Sequence, residues 1–102
     1  VAVQVWSAFP SIGPNQQQEI GASVIEDGQP GQDIPLELFV TMPDGSTWTT
    51  AMPLTGPVGQ TRTSLPPIQA PNGTLVPFRV CILRENSLRF CVRDNFLIWN
   101  TN

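Results

Sequence analysis

Val80-Cys81-Ile82-Leu83 and Arg89-Phe90-Cys91-Val92 are the two runs whose reading decides the fold. Laid antiparallel with the cysteines facing each other, they set Ile82 against Phe90, Val80 against Val92 and Arg84 against Leu88, with Glu85-Asn86-Ser87 as the loop. Val76, Phe78, Val80, Ile82, Leu88, Phe90 and Val92 then share one apolar face, and the other carries Arg79, Cys81, Leu83, Arg89, Cys91 and Arg93. Such a period of two marks an antiparallel pair with one face packed on a core. Phe78, Val80, Ile82, Phe90 and Val92 are therefore expected in the core. Opposed residues in such a pair lie about 4.5–5.5 Å apart, within disulfide reach. A structural bridge between Cys81 and Cys91 on the outward face is predicted, in preference to a reactive dithiol. A staple of this kind belongs to an oxidising compartment, so the chain reads as extracellular or cell-surface.

The same alternation continues upstream. Val1 to Trp6 is a β-type run, with Val1, Val3 and Val5 on one side and Ala2 and Trp6 on the other. Gln18 to Glu26 sets Ile20, Ala22 and Val24 on one face, and Ile34 to Met42 does the same with Leu36, Leu38, Val40 and Met42. Ser46 to Met52 and Gln60 to Leu65 are shorter, more polar candidates. Turn chemistry separates these runs at Asp27-Gly28, Pro43-Asp44-Gly45, Gly56-Pro57 and Pro71-Asn72-Gly73. Pro35 and Pro77 fall inside strand candidates, which points to edges or bulges there. Strict alternation would also aim Asp94 inward, opposite Phe78, and a bulge at Asp94-Asn95 is expected to relieve it. About seven strands at this spacing predict an all-β, immunoglobulin-like sandwich of antiparallel strands forming one domain over residues 1–102.

Three stretches carry a family resemblance: Ile25-Glu26-Asp27-Gly28-Gln29-Pro30, Leu38-Phe39-Val40-Thr41-Met42-Pro43-Asp44-Gly45-Ser46, and Ala70-Pro71-Asn72-Gly73-Thr74-Leu75-Val76. Together they resemble the turns of bacterial immunoglobulin-like or prealbumin-like modules of cell-surface and extracellular proteins. The resemblance implies a role in adhesins, stalks or surface fibres, and it carries no functional residue. The chain departs from antibody-type domains, because its cysteines are ten residues apart and it has no Tyr for a tyrosine corner.

Composition narrows the chemistry. The 102 residues contain no His, and all five cations are Arg. Triads built on imidazole cannot form, nor can zinc sites that use it, and two Cys alone cannot close a structural zinc site. Asp27 and Asp33 do not match a calcium-loop spacing. No enzyme, metal or cofactor is expected. Residues 1–61 hold six carboxylates and no cation, whereas residues 62–102 hold five Arg against Glu85 and Asp94. With a net charge of −3, nucleic acid is a poor partner. No apolar run reaches the roughly 20 residues of a membrane span.

The candidate partners are copies of the chain itself or neighbouring domains of a surface protein. The chain begins in a β run without Met, as a processed chain or an excised domain would. Phe96-Leu97-Ile98-Trp99 is apolar on both strand faces, as is the N-terminal run. Either end can pack in its own sandwich or pair with a neighbouring subunit as in a strand-exchanging, pilus-like filament, which makes Val1, Val3, Val5, Trp6, Phe96, Ile98 and Trp99 candidate contacts. The alternative function is a carbohydrate-binding module, with Trp48, set among threonines, as the sugar contact. Asn72-Gly73-Thr74 is an N-glycosylation sequon in a turn, which makes Asn72 a candidate acceptor.

Overall fold

The computed structural model describes residues 2–9, 11–13, 16–84 and 87–99, with backbone only at 84 and 87–89. Its strands are β1 (Ala2–Ser7), β2 (Ser11–Ile12), β3 (Glu19–Glu26), β4 (Gln29–Pro30), β5 (Leu36–Thr41), β6 (Thr47–Ala51), β7 (Gln60–Ser64), β8 (Thr74–Arg84) and β9 (Ser87–Ile98). They form two open sheets. In the first, β3 is flanked by β1 on one side and by β7 and β4 on the other. The second has the order β2-β9-β8-β5-β6. All pairs are antiparallel except β2 with β9. This is the expected all-β sandwich, with seven strands of five or more residues and two short ones.

Period-two patterning explains which faces meet. Ile20, Ala22 and Val24 of β3 are buried, as are Leu36, Leu38 and Val40 of β5 and Val76, Phe78, Val80 and Ile82 of β8. Phe96 and Ile98 of β9 complete this layer, with Ile12, Leu65 and Ile68 filling between the sheets. The Phe78 and Phe96 rings pack at 6.2 Å between centroids, tilted by 40°.

Buried polar side chains hold the loops. Gln18, 1% exposed, accepts at Oε1 from the Phe9 and Glu19 N–H groups, each at 3.1 Å, and its Nε2 donates to the Phe9 carbonyl at 2.6 Å. The β1–β2 connection is thereby fastened to the start of β3. Thr55 Oγ1 donates to the Gly31 carbonyl and accepts from Ile34 N–H, tying the β4–β5 connection to the β6–β7 loop. Among the described residues every buried side-chain nitrogen and oxygen has a partner, as a well-formed core requires.

The β8–β9 hairpin holds the predicted central register, with Val80 opposite Val92, Cys81 opposite Cys91 and Ile82 opposite Phe90. Three details differ from expectation. The register shifts between Ile82 and Leu83, so Leu83 faces Leu88 and Arg84 faces Ser87, and Arg84 does not meet Leu88. Arg89 is skipped in the ladder, so the extra residue of the bulge is on β9. The expected loop residues Glu85 and Asn86 lie outside the described residues.

Next, no shift occurs at Asp94, which stands directly opposite Phe78 and is exposed. Its Oδ1 accepts from the Asn95 N–H at 2.8 Å. Phe90, expected in the core, is 40% exposed, and Val92 is only partly buried against it. The opposed β8 residues Phe78, Val80 and Ile82 are buried at the same level. Cover is therefore complete over β8 and incomplete over β9, which has a described strand on its far side only at Leu97 and Ile98. Its inward face is buried at Phe96 and Ile98, partly buried at Val92 and open at Phe90 and Asp94.

Pro77 sits in β8 one residue beyond the end of its ladder with β5, which runs from Ile82–Leu36 to Phe78–Val40. Having no N–H to donate, it marks the place where β8 loses that neighbour.

Candidate functional site

The outward face of the second sheet carries its chemistry in transverse rows, because each opposed pair continues into the next strand. One row runs Thr49, Phe39, Arg79, Arg93 across β6, β5, β8 and β9. The next runs Ala51, Glu37, Cys81, Cys91. Cys81 and Cys91 are bonded, with Cα atoms 4.1 Å apart. Cys81 is fully buried beneath its partner, and Cys91 is exposed. The bridge thus has the partners and the face read from the sequence.

The Arg row is the unusual one. Arg79 and Arg93 are directly opposed, an arrangement that like charges disfavour. The Arg79 guanidinium lies over the Phe39 ring, 4.4 Å from its centroid, a cation–π geometry that fixes the side chain against the sheet. Among the described residues the one ion pair is Arg62 with Glu19 at 3.6 Å, on the other sheet, so neither Arg79 nor Arg93 has a carboxylate within 4 Å. Beyond Val40 and Phe78 the strands β5 and β8 part, and a shallow groove of about 290 Å³ opens there. Thr41, Thr47 and Pro77 form its walls, with Phe39, Arg79 and Arg93 at its end.

This grouping was not drawn from the sequence, although a signal was present. Arg79 and Arg93 stand two residues from Cys81 and Cys91, so the register that opposes the cysteines also opposes the arginines.

The other candidates lie apart from one another. Trp48 pairs with Val40 and packs half-buried against the core, on the inward side of β6. Trp6 lies flat over Gly21 of the neighbouring strand, where an added Cβ would stand 2.3 Å from the indole. Glycine is required at position 21 because the ring occupies that space. Trp99 is 48% exposed at the end of β9. The three indoles share no face and form no common platform. Asn72 is exposed in the turn before β8, where Gly73 adopts a φ of 89°. Val1 is outside the described residues; Val3 is buried and Val5 partly so, both in β1 and paired with β3 of the same chain.

Asp27 and Asp33 both take left-handed backbone conformations, with φ of 52° and 59°. Asp44 accepts at Oδ1 from the hydroxyl and the N–H of Ser46, at 2.6 and 2.9 Å, and these bonds hold its carboxyl below the ordinary value of 3.8. The contacts close the β5–β6 turn without involving the groove.

Register places the two chain ends. Ala2 pairs with Ile25, next to the Asp27-Gly28 turn, and the Leu83 N–H bonds the Pro35 carbonyl. Asp33 N–H donates to Thr55 and Gly31 N–H to Val24, so all of these gather at one pole. At the other, Ala8 N–H donates to Glu19, Leu65 N–H to Gln18, Gly73 N–H to Ile98 and Trp99 N–H to Ile12. The first strand starts at the first pole and the last strand ends at the second, on a body 45 × 23 × 17 Å. The chain matches no model of a known protein family, and no curated protein matches it in sequence.

Proposed function

We propose that this chain is a non-catalytic structural module of an extracellular or cell-surface protein, an immunoglobulin-like sandwich of the kind used in stalks, fibres and adhesins. The observation that supports it best is the path of the polypeptide, which joins the outer strands at opposite poles of the 45 Å axis. Tension applied through residues 2 and 99 runs along the strands, so the β1–β3 and β2–β9 hydrogen bonds are loaded together. The antiparallel β1–β3 bonds lie perpendicular to the strands, the orientation that resists such sliding, while the short parallel β2–β9 pair has slanted bonds. The cystine across β8 and β9 adds a covalent tie to the longest hairpin, and it suits an oxidising location outside the cell.

A strand-exchanging filament subunit is the narrower form of the same reading. It requires one terminal strand, β1 or β9, to leave its own sheet and complete that of the next copy. Both are paired within the chain, β1 with β3 and β9 with β8, which favours the module over the strand-exchanging subunit.

Single-molecule pulling provides the test. Handles at residues 2 and 99 should give a distinct force peak well above that obtained with handles at 44 and 99, which both lie at the second pole and open the fold strand by strand. Equal forces in the two geometries would sink the load-bearing reading.

A further inference from the structure

We infer that the groove beside Arg79 and Arg93 is a binding site for the oxyanion of an acidic polysaccharide, a carboxylate or a sulfate ester. This goes beyond the structural role and does not depend on it.

Two guanidinium groups directly opposed across β8 and β9 repel each other, and among the described residues no carboxylate lies within 4 Å of either. The arrangement is neutralised when one oxyanion accepts from both. Guanidinium forks match such groups in geometry and make charge-assisted hydrogen bonds to them. Arg79 is already held against Phe39, so less side-chain freedom is lost on binding.

The rest of the groove tells which anion fits. Its volume of about 290 Å³ lies at the small end of ligand sites, ~300–1,000 Å³, and far exceeds the space one carboxylate needs. Thr41 and Thr47 bring hydroxyls, which both donate and accept, next to the Arg pair, and Pro77 offers an apolar surface. That mixture suits a sugar ring bearing hydroxyls and an acid group. An extended acidic peptide finds no strand to pair with there. Beyond Val40 only Thr41 is left on β5 before the turn, and Pro77 has no N–H.

The test is calorimetric titration of the native chain with four probes: oligogalacturonate, dextran sulfate oligomers, neutral galactan oligomers and poly-glutamate. Saturable binding of one or both acidic glycans is expected, weakened by salt, with the responding probe identifying carboxylate or sulfate as the source. Neutral galactan should not bind. Arg79→Ala with Arg93→Ala should weaken the glycan at least ~10-fold, since hydrogen bonds to charged groups are lost. Arg62→Ala, on the other sheet, should leave it unchanged. The double variant should stay folded and melt close to the wild type, because relief of the like-charge pair offsets the lost Arg79–Phe39 contact. Binding that survives in the double variant, binding of neither glycan, or poly-glutamate bound as tightly as the glycans would each overturn the inference. In the last case the groove would be a site for acidic proteins.

Discussion

Phe96→Ala should destabilise this protein by about 3–5 kcal/mol, the range for removing a large aromatic from a packed core. Phe96 is 1% exposed, sits opposite Val76 and packs against Phe78. A domain of this size has a total stability of about 5–15 kcal/mol, so the loss is a large share of it. With a shift of about 4–8 °C per kcal/mol, the melting temperature should fall by at least ~12 °C. Phe90→Ala is the informative companion. It changes the same residue type in the same strand, on the same nominal face, yet Phe90 is 40% exposed. Its loss should be about 1 kcal/mol. Thermal or urea unfolding of the two variants measures the contrast directly. Equal losses would mean that β9 is covered along its whole length, as strict alternation implies.

Removing the cystine by Cys81→Ala with Cys91→Ala should cost about 3 kcal/mol. In the chain-entropy model a cross-link stabilises by restricting the unfolded chain, and a loop closed over ten residues contributes about this much. The native hairpin should persist in the variant, because its ladder runs from Thr74–Ile98 to Arg84–Ser87 and does not depend on the sulfur bond. Denaturant unfolding should therefore show a lower midpoint with the same end state. Cys81 is buried but Cys91 is exposed, so a reductant should attack the Cys91 sulfur of the folded protein. Unchanged stability in the double variant would show that the denatured hairpin already holds positions 81 and 91 together.

Alternation made much of this fold readable. Ile20, Ala22 and Val24, then Leu36, Leu38 and Val40, lie buried as their spacing requires, and the Cys81–Cys91 register follows from apolar residues facing one way. Period two states which side of a strand faces inward. It does not state whether a strand lies inside its sheet or near its border, and Phe90 and Asp94, on the stretch of β9 that no described strand flanks on its outer side, are the residues where that difference matters. Trp48 illustrates another limit. Its threonine neighbours suggested exposure, but it points with Val40 toward the core while Thr47 and Thr49 point away. The Arg79–Arg93 groove needed two facts together, the hairpin register and the parting of β5 from β8 at Pro77. Only the first of these is set by local sequence.

The exposed inward side of β9 has one more consequence. Between Ser87 and Phe96 no other described strand pairs with the outer edge of β9, and bare strand edges recruit foreign strands into aggregates. A strand arriving there would widen the sheet and enclose the surface around Phe90, Val92 and Asp94. It would also strip water from the Asp94 carboxylate with no cation among the described side chains of that face to receive it, a severe cost for a buried charge. An exposed carboxylate at position 94 would thus make the long edge of the last strand unattractive to misfolded or partly synthesised neighbours.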